Sequence, residues 1–319
     1  MAWYWYVIIA IGAYIVICFI DAGVKASSMK PEFQDEKYGE ARYEELKKEG
    51  VQTDYKIYTE EEIANDPTKG SVRLVYMPPD TKEKTRYMLV CPGGGYLNLA
   101  TVGEGYCIGA KVNEKGFTAF VLEYRVRDNC SYHAPEKDVA RAISFINENA
   151  DRFNVETEGY SLCGFSAGGN LVGLFGTDDY GYKNFDGISK PSAIIMGYPW
   201  CNPNEKLWNV MQLAVVHQLN KKGCGAFLSG DVSQKALDTM RVHKHITKDY
   251  PATYVIQGDQ DILVPKNTHA DVLVKALKEN GVTCKYEVFH KLNHGFGLCN
   301  GGPAEGWLDS AIGFWNAQL

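Results

Sequence analysis

The stretch GYSLCGFSAGGN, residues 159–170, decides the fold. It reads as a short apolar strand, a Gly-x-Ser-x-Gly turn and the start of a helix. Such a turn holds a serine on a strained corner, with its hydroxyl above the edge of the sheet. Gly164 and Gly168 suit this corner because a Cβ there would strike the neighbouring strand and helix. The stretch therefore predicts Ser166 as a nucleophile, and the alternative interpretation is an ordinary serine in a glycine-rich turn.

Length and composition favour one large α/β domain. The chain has 319 residues, of which 45% are hydrophobic, enough for a sizeable core. A net charge of -6 and the lack of Lys/Arg clusters argue against a nucleic-acid partner. The nine cysteines form no CxxC pair and no Cys/His spacing of a zinc site. The sequence therefore implies no metal and no organic cofactor.

The first 24 residues form a hydrophobic segment. Residues 1–20 carry no charged side chain, and about 20 apolar residues suffice to cross a bilayer as a helix. A secreted protein with a cleaved signal peptide is the alternative, but the start lacks basic residues and no convincing cleavage site follows. Lys25 and Lys30 come directly after the segment. We therefore expect a membrane anchor with the catalytic domain on the cytoplasmic side.

Three further regions follow the segment. Residues 25–50 are rich in Glu and Lys and predict a charged linker with a solvated helix, a spacer or an amphipathic lid. Residues 51–319 form the predicted catalytic domain. Within it, residues 202–228 contain no clear strand and predict a small cap insertion over the site.

Strands and helices alternate from residue 87 onward. Near-continuous apolar strands that alternate with helices predict an α/β fold with a mostly parallel central sheet and helices on both faces. An antiparallel pair, residues 55–58 and 71–76, is expected at the sheet edge. Besides the strand within residues 159–170, the later predicted strands are residues 87–91, 117–122, 193–196, 253–256 and 284–289. The predicted helices are residues 103–115, 135–149, 267–279 and 307–315.

A serine nucleophile needs a base, and the base needs an orienting carboxylate. In serine hydrolases built on such a sheet, the chain order is Ser, acid, His, on loops after the strands. Asp261 follows a predicted buried strand and is the expected acid, with Asp259 as the alternative. His294 lies between the last strand and the last helix, where the base is expected.

The run PGGGY, residues 92–96, predicts one half of an oxyanion hole. Consecutive glycines let backbone N–H groups approach a tetrahedral intermediate. The expected donors are the N–H groups of Gly94, Gly95 and Ala167. A phosphate-binding loop would need the lysine and spacing of a P-loop, and neither is present.

Several motifs together resemble one enzyme family. VCPGGGY (90–96), LEYR (122–125), RAI (141–143) and GFSAGG (164–169) occur in this order. Together with Ala134-Pro135 and Asp138, they resemble the esterase/lipase branch of the α/β-hydrolases, particularly acetylesterases and acetylxylan-esterase-like enzymes. The resemblance runs from about residue 70 to the C-terminus. One departure is Pro92, where many relatives have a histidine.

The resemblance implies an α/β-hydrolase fold and an activity. The expected reaction is hydrolysis of short-chain acyl esters, acetyl esters above all, with acetylated carbohydrates as a substrate class. It also implies that Tyr124, Arg125 and Asp138 are structural supports, with a buried Arg–Asp pair, and that Glu104 helps to hold the glycine loop. The alternatives are an exopeptidase or amidase on the same fold, and a non-catalytic, membrane-tethered binding protein.

Overall fold

The computed structural model describes residues 35–203 and 221–319. The hydrophobic segment at residues 1–24, with its predicted anchor or signal peptide, lies outside the described residues. The same holds for residues 204–220 of the predicted cap insertion. Among the residues that are described, no helix combines the length and the apolar character needed to span a bilayer.

An eight-stranded sheet runs through the described part of the chain, in the order β1-β2-β4-β3-β5-β6-β7-β8. The strands are β1 Asp54–Tyr55, β2 Arg73–Met77, β3 Tyr87–Cys91, β4 Thr118–Glu123, β5 Ser161–Phe165, β6 Ala193–Gly197, β7 Thr253–Gly258 and β8 Cys284–Phe289. The edge strand β1 pairs antiparallel with β2, and β2 pairs antiparallel with β4. All other pairings are parallel. This is the α/β-hydrolase fold, as the sequence predicts.

Helices cover both faces of the sheet, which explains the continuous apolar strands. The helices are α1 Asp35–Lys48, α2 Glu60–Asn65, α3 Cys107–Glu114, α4 Ala134–Glu148, α5 Ala150–Phe153, α6 Ala167–Phe175, α7 Gln234–Met240, α8 Ala270–Glu279 and α9 Trp307–Asn316. In β3, Leu89 belongs to a core cluster with Ile143 of α4, whereas Val90 belongs to a second cluster with Ile108 of α3. Alternate side chains of the strand therefore enter different cores, and every residue of β3 is buried.

In the region predicted as a spacer, the described helix α1, Asp35–Lys48, packs against the domain. Tyr43 and Leu46 of α1 are buried in the core that α3 helps to form. Gly39 lies so close to α3 that a Cβ on it would sit 2.4 Å from the backbone nitrogen of Cys107. The apolar stripe of α1 is narrow, so its sequence resembles a solvated helix. Its packing nevertheless makes it an integral part of the domain.

Two regions near the glycine loop also take a form that the sequence did not predict. The segment predicted as one helix over residues 103–115 begins as a π-helical turn, Thr101–Tyr106, and continues as α3. In the predicted cap, residues 221–227 are helical. A Cβ on Gly223 would lie 2.3 Å from the carbonyl oxygen of Gly95. This helical segment therefore packs directly on the glycine loop.

Candidate active site

Ser166 occupies the corner between β5 and α6. Its backbone has φ 50° and ψ -114°, a conformation that side-chain-bearing residues rarely adopt. Its N–H donates to the carbonyl of Gly197, at 2.9 Å. A Cβ on Gly164 would lie 2.2 Å from the carbonyl oxygen of Gly168, and one on Gly168 would lie 2.0 Å from that of Cys91. Only glycine fits at these two positions, because the obstacles are backbone atoms.

The loop after β8 brings His294 to this corner. Nε2 of His294 lies 2.9 Å from Oγ of Ser166, and its Nδ1 lies 2.7 Å from Oδ2 of Asp261. All three side chains leave loops at the carboxyl ends of parallel strands, which meet at one edge of the sheet. The structure therefore brings together the three residues that the sequence singles out, in the geometry of a nucleophile, a base and an orienting acid.

Asp261 is held by hydrogen bonds on both of its oxygens. Oδ2 accepts from Nε2 of Gln257 at 2.9 Å, in addition to His294. Oδ1 accepts the N–H groups of Leu263 and Val264, at 3.0 and 2.7 Å. The carboxylate side chain is completely buried. These contacts fix the plane of the carboxylate, and with it the orientation of the imidazole.

The alternative acid, Asp259, faces a different histidine. Its Oδ2 lies 2.6 Å from Nδ1 of His290, whose side chain is 74% exposed. Its Oδ1 accepts the N–H of Lys291, at 2.8 Å. The geometry thus separates the two aspartates, since Asp261 contacts His294 and Asp259 braces the loop that leads to it.

Two buried histidines in this region have opposite pKa shifts. Burial alone would lower the pKa of His294, but the charge and hydrogen bond of Asp261, assisted by the charge of Glu104, raise it above the ordinary value. Burial lowers the pKa of His269 to about 3. Nδ1 of His269 accepts the N–H of Asn202, at 3.1 Å, so this ring is neutral. His269 directly precedes α8, and its sequence context gives no indication that it lies near the triad.

The glycine loop has the backbone form expected of an oxyanion hole. Gly94 and Gly95 have φ values of 130° and 66°, where glycine is favoured. No hydrogen bond between described residues uses the N–H of Gly94, Gly95 or Ala167. Ala167 is the first residue of α6, so its N–H has no acceptor within the helix. These three donors are therefore available to a ligand.

Side chains from elsewhere in the fold hold the glycine loop in place. The hydroxyl of Tyr124 donates to the carbonyl of Pro92, at 2.7 Å. The carboxylate of Glu104 accepts the N–H of Gly93, at 2.7 Å. Tyr124 and Glu104 are the support residues that the resemblance implied. They anchor the loop at Pro92 and Gly93.

Arg125 and Asp138 form the expected buried ion pair. Nη2 of Arg125 lies 2.8 Å from Oδ1 of Asp138, and both side chains are nearly inaccessible. The hydroxyl of Tyr58 also donates to this carboxylate, at 2.7 Å. The pair ties the loop after β4 to α4, which is a structural role.

Aromatic side chains pack around the glycine loop. The ring of Tyr96 lies 4.7 Å from that of Phe227 and 6.3 Å from that of Trp200, between centroids. The backbone N–H of Trp200 donates to the carbonyl of Ser166, at 3.0 Å.

As for metals, residues 35–203 and 221–319 contain no group of three or more His, Cys, Asp or Glu side chains that could hold an ion.

Comparisons with known proteins place this geometry in a family. The chain is 26% identical over 231 residues to an acetylxylan esterase from Xylanibacter ruminicola, covering 72% of this chain and 44% of that protein. It is also 26% identical over 229 residues to endo-1,4-beta-xylanase B from Butyrivibrio fibrisolvens, covering 69% of this chain and 34% of that protein. The chain thus spans a third to less than half of the length of these curated relatives.

The match to one solved structure covers most of that protein's length. The acetyl ester-xyloside bifunctional hydrolase from Caldicellulosiruptor lactoaceticus is 28% identical, with a TM-score of 0.62 over 76% of this chain and 89% of that one. The carboxylesterase Cest-2923 from Lactobacillus plantarum, at 20% identity and a TM-score of 0.61, supports the fold alone. The BD-FAE family model matches residues 74–277, more than half of the chain, and the chain therefore belongs to the BD-FAE family.

Proposed function

We propose that this protein is a serine hydrolase of carboxylic esters with a short acyl group, acetyl above all. The observation that carries the proposal is the 2.9 Å contact between Oγ of Ser166 and Nε2 of His294, with Asp261 on the other ring nitrogen. A serine hydroxyl is a weak nucleophile until such a base removes its proton. N–H groups on the adjacent glycine loop and at the start of α6, which bond no other described residue, complete the machinery.

The reaction follows from these positions in two halves. Oγ of Ser166 attacks the ester carbonyl while His294 takes its proton, and the oxyanion is bound by the N–H groups of Gly94, Gly95 and Ala167. His294 then donates the proton to the leaving alkoxide, which departs as the alcohol and leaves an acyl-serine. In the second half, His294 deprotonates a water molecule that attacks the acyl group. The bond between the acyl carbon and Oγ of Ser166 then breaks, His294 returns the proton to Oγ, and the carboxylic acid is released. Each oxyanion donor contributes about 2.7–4 kcal/mol of transition-state stabilisation.

Acetylated carbohydrates are the proposed natural substrates. Two proteins that this chain resembles are named an acetylxylan esterase and an acetyl ester-xyloside bifunctional hydrolase. The aromatic side chains of Tyr96, Trp200 and Phe227 are nearly inaccessible and pack on and beside the glycine loop. Because these side chains fill the space around the loop, they support a substrate with a small acyl group. Membrane attachment through residues 1–20 stays a prediction.

A substrate panel tests the proposal. The purified protein is assayed on p-nitrophenyl acetate, butyrate and octanoate, on acetylated xylo-oligosaccharides, and on aminoacyl p-nitroanilides. We expect turnover of acetate above octanoate, release of acetate from the sugars and no cleavage of the anilides. A fluorophosphonate probe should label Ser166, which peptide mapping identifies. An intact fold that is neither labelled nor active would instead favour a binding protein, and cleavage of anilides alone would favour an amidase.

The pH dependence of kcat/KM reports the pKa of the proposed base, His294, in the free enzyme. His294 must be neutral to accept a proton, and its pKa is raised above the ordinary value of 6.5. Activity is therefore full above that raised pKa and is lost as the pH falls through it. We expect the acid limb on p-nitrophenyl acetate to be centred above pH 6.5. A limb centred well below this value would contradict the assignment of His294 as a base braced by Asp261.

A further inference from the structure

Glu104 is a buried carboxylate that the proposed mechanism does not use. Its side chain lies in the π-helical turn Thr101–Tyr106, and the residue is only 7% exposed. Single π-helical turns are rare and are frequent at functional sites. Burial raises the pKa of Glu104, which the hydroxyl of Tyr198, the charge of His294 and the N–H of Gly93 counteract. A carboxylate buried at such a cost needs an explanation beyond packing.

The hydrogen bonds of Glu104 favour its ionised form. Oε2 accepts the N–H of Gly93, at 2.7 Å, and Oε1 lies 2.8 Å from the hydroxyl of Tyr198. That hydroxyl accepts the N–H of Gly297, at 3.2 Å, which leaves its own proton free to be donated to Glu104. Both carboxylate oxygens therefore receive a proton donor, which is the arrangement of the charged form.

Tyr198 links this carboxylate to the catalytic histidine. Its ring packs edge-to-face against that of His294, with centroids 4.9 Å apart and an interplanar angle of 65°. Its backbone φ of 36° lies in the left-handed region, an uncommon conformation for a tyrosine. Gly297, whose N–H it accepts, belongs to the same loop as His294. One phenol thus contacts both the base and the loop that carries it.

Within the described part of the chain, two carboxylates act on the charge of His294. Asp261 bonds its Nδ1, and Glu104 is the second carboxylate whose charge raises its pKa. His269 is buried and neutral. Protonation of His294 during the reaction is therefore opposed by desolvation and favoured by two carboxylates, of which only one touches the ring.

We infer that Glu104 is a positioning residue for this reaction, which fastens the oxyanion loop to the histidine loop through Tyr198 and stabilises the imidazolium of His294 from a distance. The expected effect of Glu104 on catalysis rests on the proposed function, whereas its effect on the pKa of His294 does not. The coupling between Glu104 and His294 exists with or without an ester substrate, and it is measured separately below.

Titration of His294 by NMR tests the charge. The imidazole is followed in histidine-labelled protein, with the His294→Asn spectrum as the assignment, for the wild type, Glu104→Gln, Glu104→Asp and Glu114→Gln. We expect a lower pKa of His294 in Glu104→Gln and values close to wild type in the other two variants. Glu114→Gln is the matched control, because it removes the same charge from the next helix, where Glu114 bonds Lys111.

Kinetics on p-nitrophenyl acetate test the positioning. We expect kcat of Glu104→Gln to fall roughly tenfold or more, as for a lost hydrogen bond to a charged group, with little change in KM. Glu104→Asp should recover part of kcat. If Glu104→Gln does not fold, Tyr198→Phe takes its place, because it breaks the same link, and an unchanged kcat would overturn the inference.

The outcomes separate the two proposals. A folded Glu104→Gln protein with an unchanged pKa of His294, or equal pKa shifts in the Gln and Asp variants, would overturn the inference. A wild type that is inert toward every ester, with the pKa of His294 still shifted in Glu104→Gln, would reject the proposed function and leave the coupling standing.

Discussion

Ser166→Ala is expected to lower kcat on p-nitrophenyl acetate by about a millionfold, the loss typical when a serine hydrolase loses its nucleophile. The reason is structural. Oγ of Ser166 is the group that Nε2 of His294 contacts, and an alanine leaves the base with nothing to activate. The residual rate reflects the oxyanion donors and substrate binding alone. The fold should persist, because the serine side chain makes no other hydrogen bond between described residues.

Ser161→Ala is the matched control for this prediction. Ser161 lies in the strand that leads to Ser166, and its buried hydroxyl has no hydrogen-bond partner among residues 35–203 and 221–319. Its removal should leave kcat unchanged and should hold or raise the thermal midpoint, since an unsatisfied buried polar group costs about 1–3 kcal/mol. Turnover by Ser166→Ala at close to the wild-type rate would reject the nucleophile assignment.

Asp261→Asn is expected to lower kcat by about 10⁴-fold, as replacement of the orienting acid does in other serine hydrolases. An amide at this position no longer fixes the tautomer of His294, and it no longer stabilises the imidazolium. The buried site accepts three donors besides the histidine, from Gln257, Leu263 and Val264, so the amide nitrogen would also face an N–H group. Measurement of kcat and of the thermal midpoint separates lost chemistry from lost folding.

Asp259→Asn makes the same chemical change two positions away. Asp259 bonds the exposed His290 and the N–H of Lys291, and it does not contact His294. We expect kcat to change by no more than a few-fold. If Asp259→Asn instead proved the more damaging of the two substitutions, the geometric assignment of Asp261 as the acid would be wrong.

The sequence predicts the buried central strands well because continuous apolar runs that alternate with helices indicate a parallel sheet covered on both faces. The buried strand Tyr87–Cys91 begins and ends where the sequence places it, and the buried strand Ala193–Gly197 ends one residue later than predicted. The edge strand is different. Ile57 and Tyr58 are buried beyond the end of β1, without a strand partner, and a buried loop gives the same pattern as a strand. Apolar residues therefore report burial more directly than they report strand pairing.

The sequence predicts the candidate site because the chain order of its serine, acid and histidine is typical of one class of hydrolase. Ser166, Asp261 and His294 appear in the expected order, but the choice between two aspartates needed their partners, which lie more than thirty residues away. Tyr198 could not be found at all. Its role depends on a left-handed backbone and on Glu104 and Gly297, which are 94 and 99 residues distant. Long-range hydrogen bonds of this kind leave no local pattern.

The first described helix has a practical consequence for expression of the protein. Asp35 accepts the N–H of Cys299 at 2.9 Å, shortly after the catalytic histidine, and Tyr43 stacks on Tyr106 with ring centroids 4.5 Å apart. A recombinant version trimmed to the boundaries of the family match would discard both contacts and uncover the turn that carries Glu104. Trimming should therefore stop ahead of residue 35, even when the hydrophobic segment at residues 1–24 is removed.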